Sequence, residues 1–195
     1  MIKVQSKDTL TRASQVLTRA FEDTSPLGNL YDQQSYEKIC HIQLLYNYKY
    51  GEIFAPSPAL QGIMCVLPGA YSSITISRLL LSGALVPLLS ADWKAIKQIL
   101  EIFKPLDTPR KDYEKKHNFL YLQLLGVDPK YQRQGYAKEM LLNLIERSKH
   151  QKLPIYLETQ SPKNVEFYQK FGFKVIDSLT LPVIDHQMWI MTYDP

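Results

Sequence analysis

The chain has 195 residues, 45% hydrophobic and 22% charged, with a formal net charge of +4 at pH 7. That balance suits one globular domain, residues 1–195, with enough apolar material to bury a core. No basic cluster is interleaved with aromatics, so nucleic acid is not an expected partner. Cys40 and Cys65 sit in apolar settings and offer neither a metal-ligand spacing nor a disulfide framework, which reads as two buried thiols in a reducing compartment. The opening MIKVQSKDTL lacks an apolar signal region. The longest apolar stretch, Leu79 to Leu89, is broken by Ser82, Gly83 and Pro87 and falls short of the ~20 residues a membrane span needs. A cytoplasmic protein with no membrane partner and no metal is expected.

In chain order, Asp8 or Thr9 caps a helix that runs to about Phe21, with Leu10, Ala13, Val16, Leu17, Ala20 and Phe21 on one face. Turn formers fill the following EDTSPLGN. Gln34 to Tyr48 reads as a second helix. Ile53 to Ala55 and Gly62 to Leu67 read as strands, and the turn at Pro56-Ser57-Pro58 makes them an antiparallel pair. Ser72 to Leu89 reads as a helix that bends or stops near Pro87, with Arg78 its one strongly polar residue. It is either a core-packing helix or a flap or subunit contact, the last compatible with a homodimer. Ala91 to Phe103 is a further amphipathic helix, and the charged KPLDTPRKDYEKKHN after it, with two prolines, reads as a solvated connector.

The centre of the chain is Tyr121 to Ser148. The apolar run Tyr121 to Val127 is a short buried strand that stops at Asp128-Pro129, where the proline lacks an amide hydrogen. A polar loop, Lys130 to Gly135, leads into a helix on which Ala137, Met140, Leu141, Leu144 and Ile145 recur at helical spacing. Strand, glycine-containing loop and helix N-terminus together make an anion site, and Gly135 permits a phosphate to approach the backbone. Beyond lie a strand (Ile155 to Thr159), a helix (Asn164 to Phe171) and two strands (Lys174 to Leu179, Gln187 to Tyr193).

Gln132-Arg133-Gln134-Gly135-Tyr136-Ala137 resembles the Q/R-x-x-G-x-G/A pyrophosphate loop of the GNAT N-acetyltransferases, which bind acetyl-CoA. Downstream, LETQSPKNVEFYQKFGF resembles that family's second cofactor motif. The LET…N…FY…GF wording and the C-terminal MWIMTY are most similar to the branch containing puromycin acetyltransferase. The resemblance implies a mixed α/β fold whose mostly antiparallel central sheet carries helices on both faces. It implies acetyl-CoA-dependent acetylation of a primary amine on a small molecule or peptide, by direct attack in a ternary complex. A non-catalytic acyl-CoA-binding module and a protein-amine acetyltransferase stay open beside it. In the family the first helix and the loop after it border the acceptor pocket, so AFEDTSPLGNLY is either a substrate-side segment or an ordinary surface turn.

Carried over residue by residue, the resemblance gives the amides from Gln134 to Lys138 the pyrophosphate, with Arg133 able to add a phosphate contact. It gives the backbone of Leu125, Gly126 and Val127 the pantetheine arm, the Val127 amide facing the thioester oxygen where the central strand splays from its neighbour. Asn164 and Tyr168 lie four apart on a helix and so share a face. The family places the asparagine on the pantetheine and the tyrosine hydroxyl near the sulfur, as general acid; a core aromatic among Phe167, Phe171 and Phe173 is the alternative. Glu158, at a strand end, is either a partly desolvated base in the cleft, a charge that positions a cationic substrate, or a strand-edge residue. Gln123 stands where some relatives carry a catalytic glutamate and cannot act as a base. His117 and His186 read as structural.

Overall fold

The structure is a computed structural model that describes residues 1–22, 30–84, 87 and 93–195. Its strands are β1 (Ile2–Lys3), β2 (Glu52–Ala55), β3 (Gly62–Pro68), β4 (Leu120–Val127), β5 (Ile155–Thr159), β6 (Lys174–Leu181) and β7 (His186–Tyr193). They form one sheet in the order β1-β2-β3-β4-β5-β7-β6, antiparallel throughout except for the parallel pair β4 and β5. The helices are α1 (Lys7–Phe21), α2 (Gln33–Tyr50), α3 (Ile76–Leu79), α4 (Trp93–Phe103), α5 (Asp107–Glu114), α6 (Tyr136–Gln151) and α7 (Pro162–Gln169).

Side chains alternate across a strand, so β3 feeds two cores. Ile63, Cys65 and Leu67 pack with Leu10 and Leu17 of α1, Leu44 of α2, Ile102 of α4 and Leu106. Met64 and Val66 pack on the opposite face with Met140, Leu141 and Leu144 of α6 and Tyr168 of α7. The expected architecture, a mostly antiparallel sheet with helices on both faces, is the one observed.

Two features of β4 shape the site. A bulge faces the step from Cys65 to Val66, whose partners are Leu124 and Leu122, so Gln123 is the unpaired extra residue. On its other side β4 pairs with β5 only at Leu120↔Ile155 and Tyr121↔Tyr156, and beyond Tyr121 the two strands part. The splay thus opens earlier along the strand than the sequence suggested.

Several boundaries differ from the sequence reading. Ser6, not Asp8 or Thr9, occupies the cap of α1, and Asp32 caps α2 by accepting from Ser35 N. Of the helix expected from Ser72 to Leu89, the described residues show α3 and a widened turn, Leu80–Ala84, in which Gly83 is left-handed (φ 88°); the bend expected near Pro87 is flanked by residues outside the described ones. Arg78 of α3 donates to the carbonyls of Ala70 and Ser73 and lies over the Tyr71 ring. Residues 85, 86 and 88–92 of that stretch, and 23–29 of the turn-rich loop, lie outside the described residues. The largest departure is 104–118. It is no solvated connector: a turn of 3-10 helix, Lys104–Leu106, runs into α5, and Arg110 of α5 is buried. Pro109 falls in the first turn of α5, where its missing amide hydrogen costs no helical bond.

Candidate active site

The parting of β4 from β5 opens a cavity of about 210 Å³. Its rim and walls take Tyr121 to Leu125 from β4, Glu158 and Thr159 from β5, and Asn164 and Tyr168 from α7; α2, α4 and α5 close the far side. Asn164 and Tyr168 face the same space, as their spacing implied. Asn164 Nδ2 donates to Thr159 Oγ1 at 3.2 Å, which ties the start of α7 to the end of β5. Tyr168 is 8% exposed, its ring set against Phe167 and Phe173, and burial pushes its phenol well above the ordinary value. It is therefore both a core aromatic and a cavity wall, and its hydroxyl keeps its proton across the neutral range.

The end of β4 presents backbone to the gap. The amide of Asp128 donates to Gln61 O, and in an antiparallel ladder bonded and non-bonded residues alternate. Gly126 therefore bonds towards β3, while the N–H and C=O of Leu125 and Val127 point to the opposite edge. The Val127 carbonyl accepts from Gln132 Nε2 at 3.2 Å. Gly126 lets α1 press close, because a Cβ there would come within 3.1–3.2 Å of Leu17, Ala20 and Phe21.

The loop after β4 is fixed from both ends. Asp128 caps its first turn by accepting from Lys130 N, and its other oxygen takes two hydrogen bonds from the Arg19 guanidinium of α1. Burial works against the ionisation of Asp128, but Arg19 and the Lys130 amide outweigh it and hold the carboxyl below its usual range. Gln134 Nε2 donates to Lys130 O, and both Arg133 (φ 61°) and Gly135 (φ 90°) are left-handed. The first bond of α6 is Glu139 N to Gly135 O, so the amides of Tyr136, Ala137 and Lys138 have no acceptor within the helix. A Cβ at Gly135 would meet nothing within 4 Å, so space lies open in front of these amides. A phosphate group fits such a place by charge and by room. Of the residues expected to hold a cofactor, Leu125, Asn164 and Tyr168 line the cavity; Gln132 to Lys138 form a separate cradle at the helix start.

Glu158, read from the sequence as a cleft base, a charge that positions a cationic substrate or a strand-edge residue, lines the cavity within a buried ion pair. Its side chain is 3% exposed, and both oxygens are taken by Arg110, Nε to Oε1 at 2.7 Å and Nη2 to Oε2 at 2.8 Å. The Tyr121 hydroxyl donates to Oε2 as well, at 2.6 Å. Burial works to strip Arg110 of its charge, but Glu158 more than compensates and holds the guanidinium firmly protonated. Both oxygens are thus engaged by donors of the cavity wall. Arg110 was missed because its segment reads as solvated. Leu106, Arg110 and Tyr113 do recur at i, i+4 and i+7, a helical stripe with the arginine in its middle. Gln123 lines the cavity and bonds Asn47 of α2. Of the two histidines, His117 packs its ring 4.6 Å from Tyr113, and His186 opens β7. No group of three potential metal ligands occurs among the described residues, and no helix there is long and apolar enough to cross a membrane.

Residues 102–173 match the profile of the Acetyltransferase (GNAT) family. That segment is similar to the GNAT acetyltransferases, and the chain as a whole shares the fold of solved acetyltransferases. The solved structure of a polyamine N acetyltransferase of Drosophila melanogaster superposes with a TM-score of 0.66, covering 100% of this chain and 99% of that one at 12% identity. N-alpha-acetyltransferase 50 of Danio rerio is 30% identical over 73 residues, 35% of this chain and 44% of that protein. A probable serine/threonine-protein kinase of Dictyostelium discoideum is 28% identical over 83 residues, 43% of this chain and 9% of that protein. The chain thus spans less than half the length of these two relatives.

Proposed function

We propose that the protein is an acetyl-CoA-dependent N-acetyltransferase that acts on a primary amine of a small molecule or peptide, by direct attack in a ternary complex. The observation that carries this reading is the joining of two sites by one strand. At the end of β4 the amides of Tyr136 to Lys138 suit a pyrophosphate, and the cavity beside the same strand, from Tyr121 to Leu125, takes in Asn164 and Tyr168. Acetyl-CoA supplies the activated acetyl thioester. The Leu125 and Val127 backbone groups that face the gap hold the pantetheine arm and polarise a carbonyl oxygen, a contact type worth ~3 kcal/mol of barrier where measured elsewhere. The amine attacks as the free base. Tyr168 Oη gives its proton to the departing thiolate and is reprotonated by the proton the nitrogen loses as the amide forms, and its burial keeps the phenol protonated at neutral pH.

Glu158 is given a supporting part: it fixes Arg110 and Tyr121 in the cavity wall. Asp107 suits the substrate ammonium better. It lines the same cavity, and its ion-pair partner Arg110 stands 3.9 Å away. The test is thiol release from acetyl-CoA against small amines, aminoglycosides, polyamines and short peptides. Wild type and Tyr168→Phe are run side by side. Release that needs both an amine and Tyr168 supports the reading. Silence across the panel, with CoA still raising the melting temperature, replaces it with a non-catalytic acyl-CoA-binding module.

A further inference from the structure

Gln123, at the β4 bulge, is oriented by a chain of hydrogen bonds that begins on the backbone. Asn47 Nδ2 donates to the Gln43 carbonyl at 2.9 Å and to Gln123 Oε1 at 2.5 Å. A backbone carbonyl only accepts, so the Asn47 atom facing it is the nitrogen. The Gln123 atom facing that nitrogen is then the oxygen. Asn47 is fully buried, which leaves the pair no room to invert. The amide nitrogen of Gln123 is thereby left on the cavity side, and it makes no hydrogen bond among the described residues.

The wall around that donor is mixed: Phe21, Ile39, Ile99, Leu100 and Met188 are apolar, and Gln43, Gln160 and Asn164 are polar. Its charges cancel: Lys104 and Arg110 against Asp107 and Glu158. A donor fixed in a wall of no net charge discriminates by penalty, because a ligand that gives it no acceptor leaves it unpaired. Resting on the acetyltransferase reading, we propose that Gln123 is a specificity-determining residue. Its Nε2 donates to an oxygen of the acceptor. The acceptor is a primary amine joined to an apolar body and bearing a carbonyl or hydroxyl oxygen, not a polyamine. Asn47 is the positioning residue that fixes which end of the Gln123 amide the substrate meets.

The test uses a matched pair of acceptors, phenylalanine amide and 2-phenylethylamine, with acetyl-CoA and the full chain. The two amines differ in basicity, so the quantity read is the ratio of their kcat/KM values, compared between wild type and Gln123→Met. Methionine keeps the length and volume and removes the donor. The expected result is a loss of about tenfold for the amide, the value of one hydrogen bond, with the amine nearly unchanged. Gln123→Glu, which keeps the oxygen facing Asn47, is expected to shift the ratio the same way and serves if the methionine variant does not fold. Asn47→Asp, which weakens the hold on Gln123, is expected to lower the ratio while acetyl-CoA binding stays the same. Equal losses on both amines, or none, overturn the proposal. If wild type turns over neither amine, the acetyl-transfer reading is decided by the full amine panel above. Calorimetry with the CoA-loaded protein then decides the role of Gln123: tighter amide binding that Gln123→Met abolishes supports it, and equal binding overturns it.

Discussion

At the scale of single residues, two buried groups carry opposite demands. Tyr168 must keep a proton and Arg110 must keep a charge. Tyr168→Phe removes the proton and little volume, so turnover should fall by about a hundredfold or more while the acetyl-CoA dissociation constant moves less than threefold. Single-turnover rates beside equilibrium binding separate the two; matching changes in both remove Tyr168 from the acid role. Since burial has pushed its phenol up, kcat in wild type should show no falling limb up to about pH 10 from this group. Arg110 is paired at 9% exposure with Glu158 at 3%. Arg110→Met strands the carboxylate in the wall and should cost about 3–5 kcal/mol in urea unfolding. The double change with Glu158→Gln should recover much of that loss, and a double variant no better than the single one would show that the pair is not coupled. Asp107→Asn should raise KM for the amine and leave kcat within about twofold, as expected of uniform binding.

Among the elements, the start of α6 and the end of β4 do most to place the chemistry. Gly135→Ala meets no neighbour, so its effect is conformational: a left-handed residue acquires a Cβ at a cost of about 1 kcal/mol. If the loop relieves that strain by turning its amides away, acetyl-CoA affinity should fall severalfold more than stability does. Calorimetric titration beside thermal melts reads both, and a stability loss with unchanged affinity would move the anion away from this helix. The loop and helix were legible beforehand because the strand, its proline stop, the glycine and the apolar spacing are all local signals. The α5 helix was not. Pro105 and Pro109 and a run of charges look like a connector, and nothing local says that one of those charges turns inward to meet Glu158, 48 residues further on. The bulge at Gln123 was also invisible, since it exists only in register with β3.

For the molecule as a whole, the buried tyrosines set an alkaline limit. Tyr46, Tyr121, Tyr156 and Tyr168 are all raised above the ordinary value, burial being the first cause at each. Their folded values exceed the unfolded value of about 10, so the folded state holds more protons above that pH. The stability they confer is complete below about pH 10 and is lost as pH rises beyond it. Absorbance of phenolate and far-ultraviolet circular dichroism, followed together from pH 9 upward, should show these tyrosines ionising in one step with loss of structure. Gradual phenolate formation with the helices intact would contradict the burial. The two cores that enclose these rings lie on opposite faces of one sheet and meet at the gap between β4 and β5, where the cavity forms.

By itself the sequence determined the order of strand, loop and helix around Gly135, the apolar run that buries the central strand, and the shared face of Asn164 and Tyr168. Each rests on spacing of a few residues, which backbone geometry turns directly into position. Only the tertiary structure decided that β4 and β5 part after Tyr121, that Glu158 is bound to Arg110, and that Gln123 turns a donor to the cavity. Those outcomes depend on pairings between distant segments, where burial penalises any polar group left without its partner.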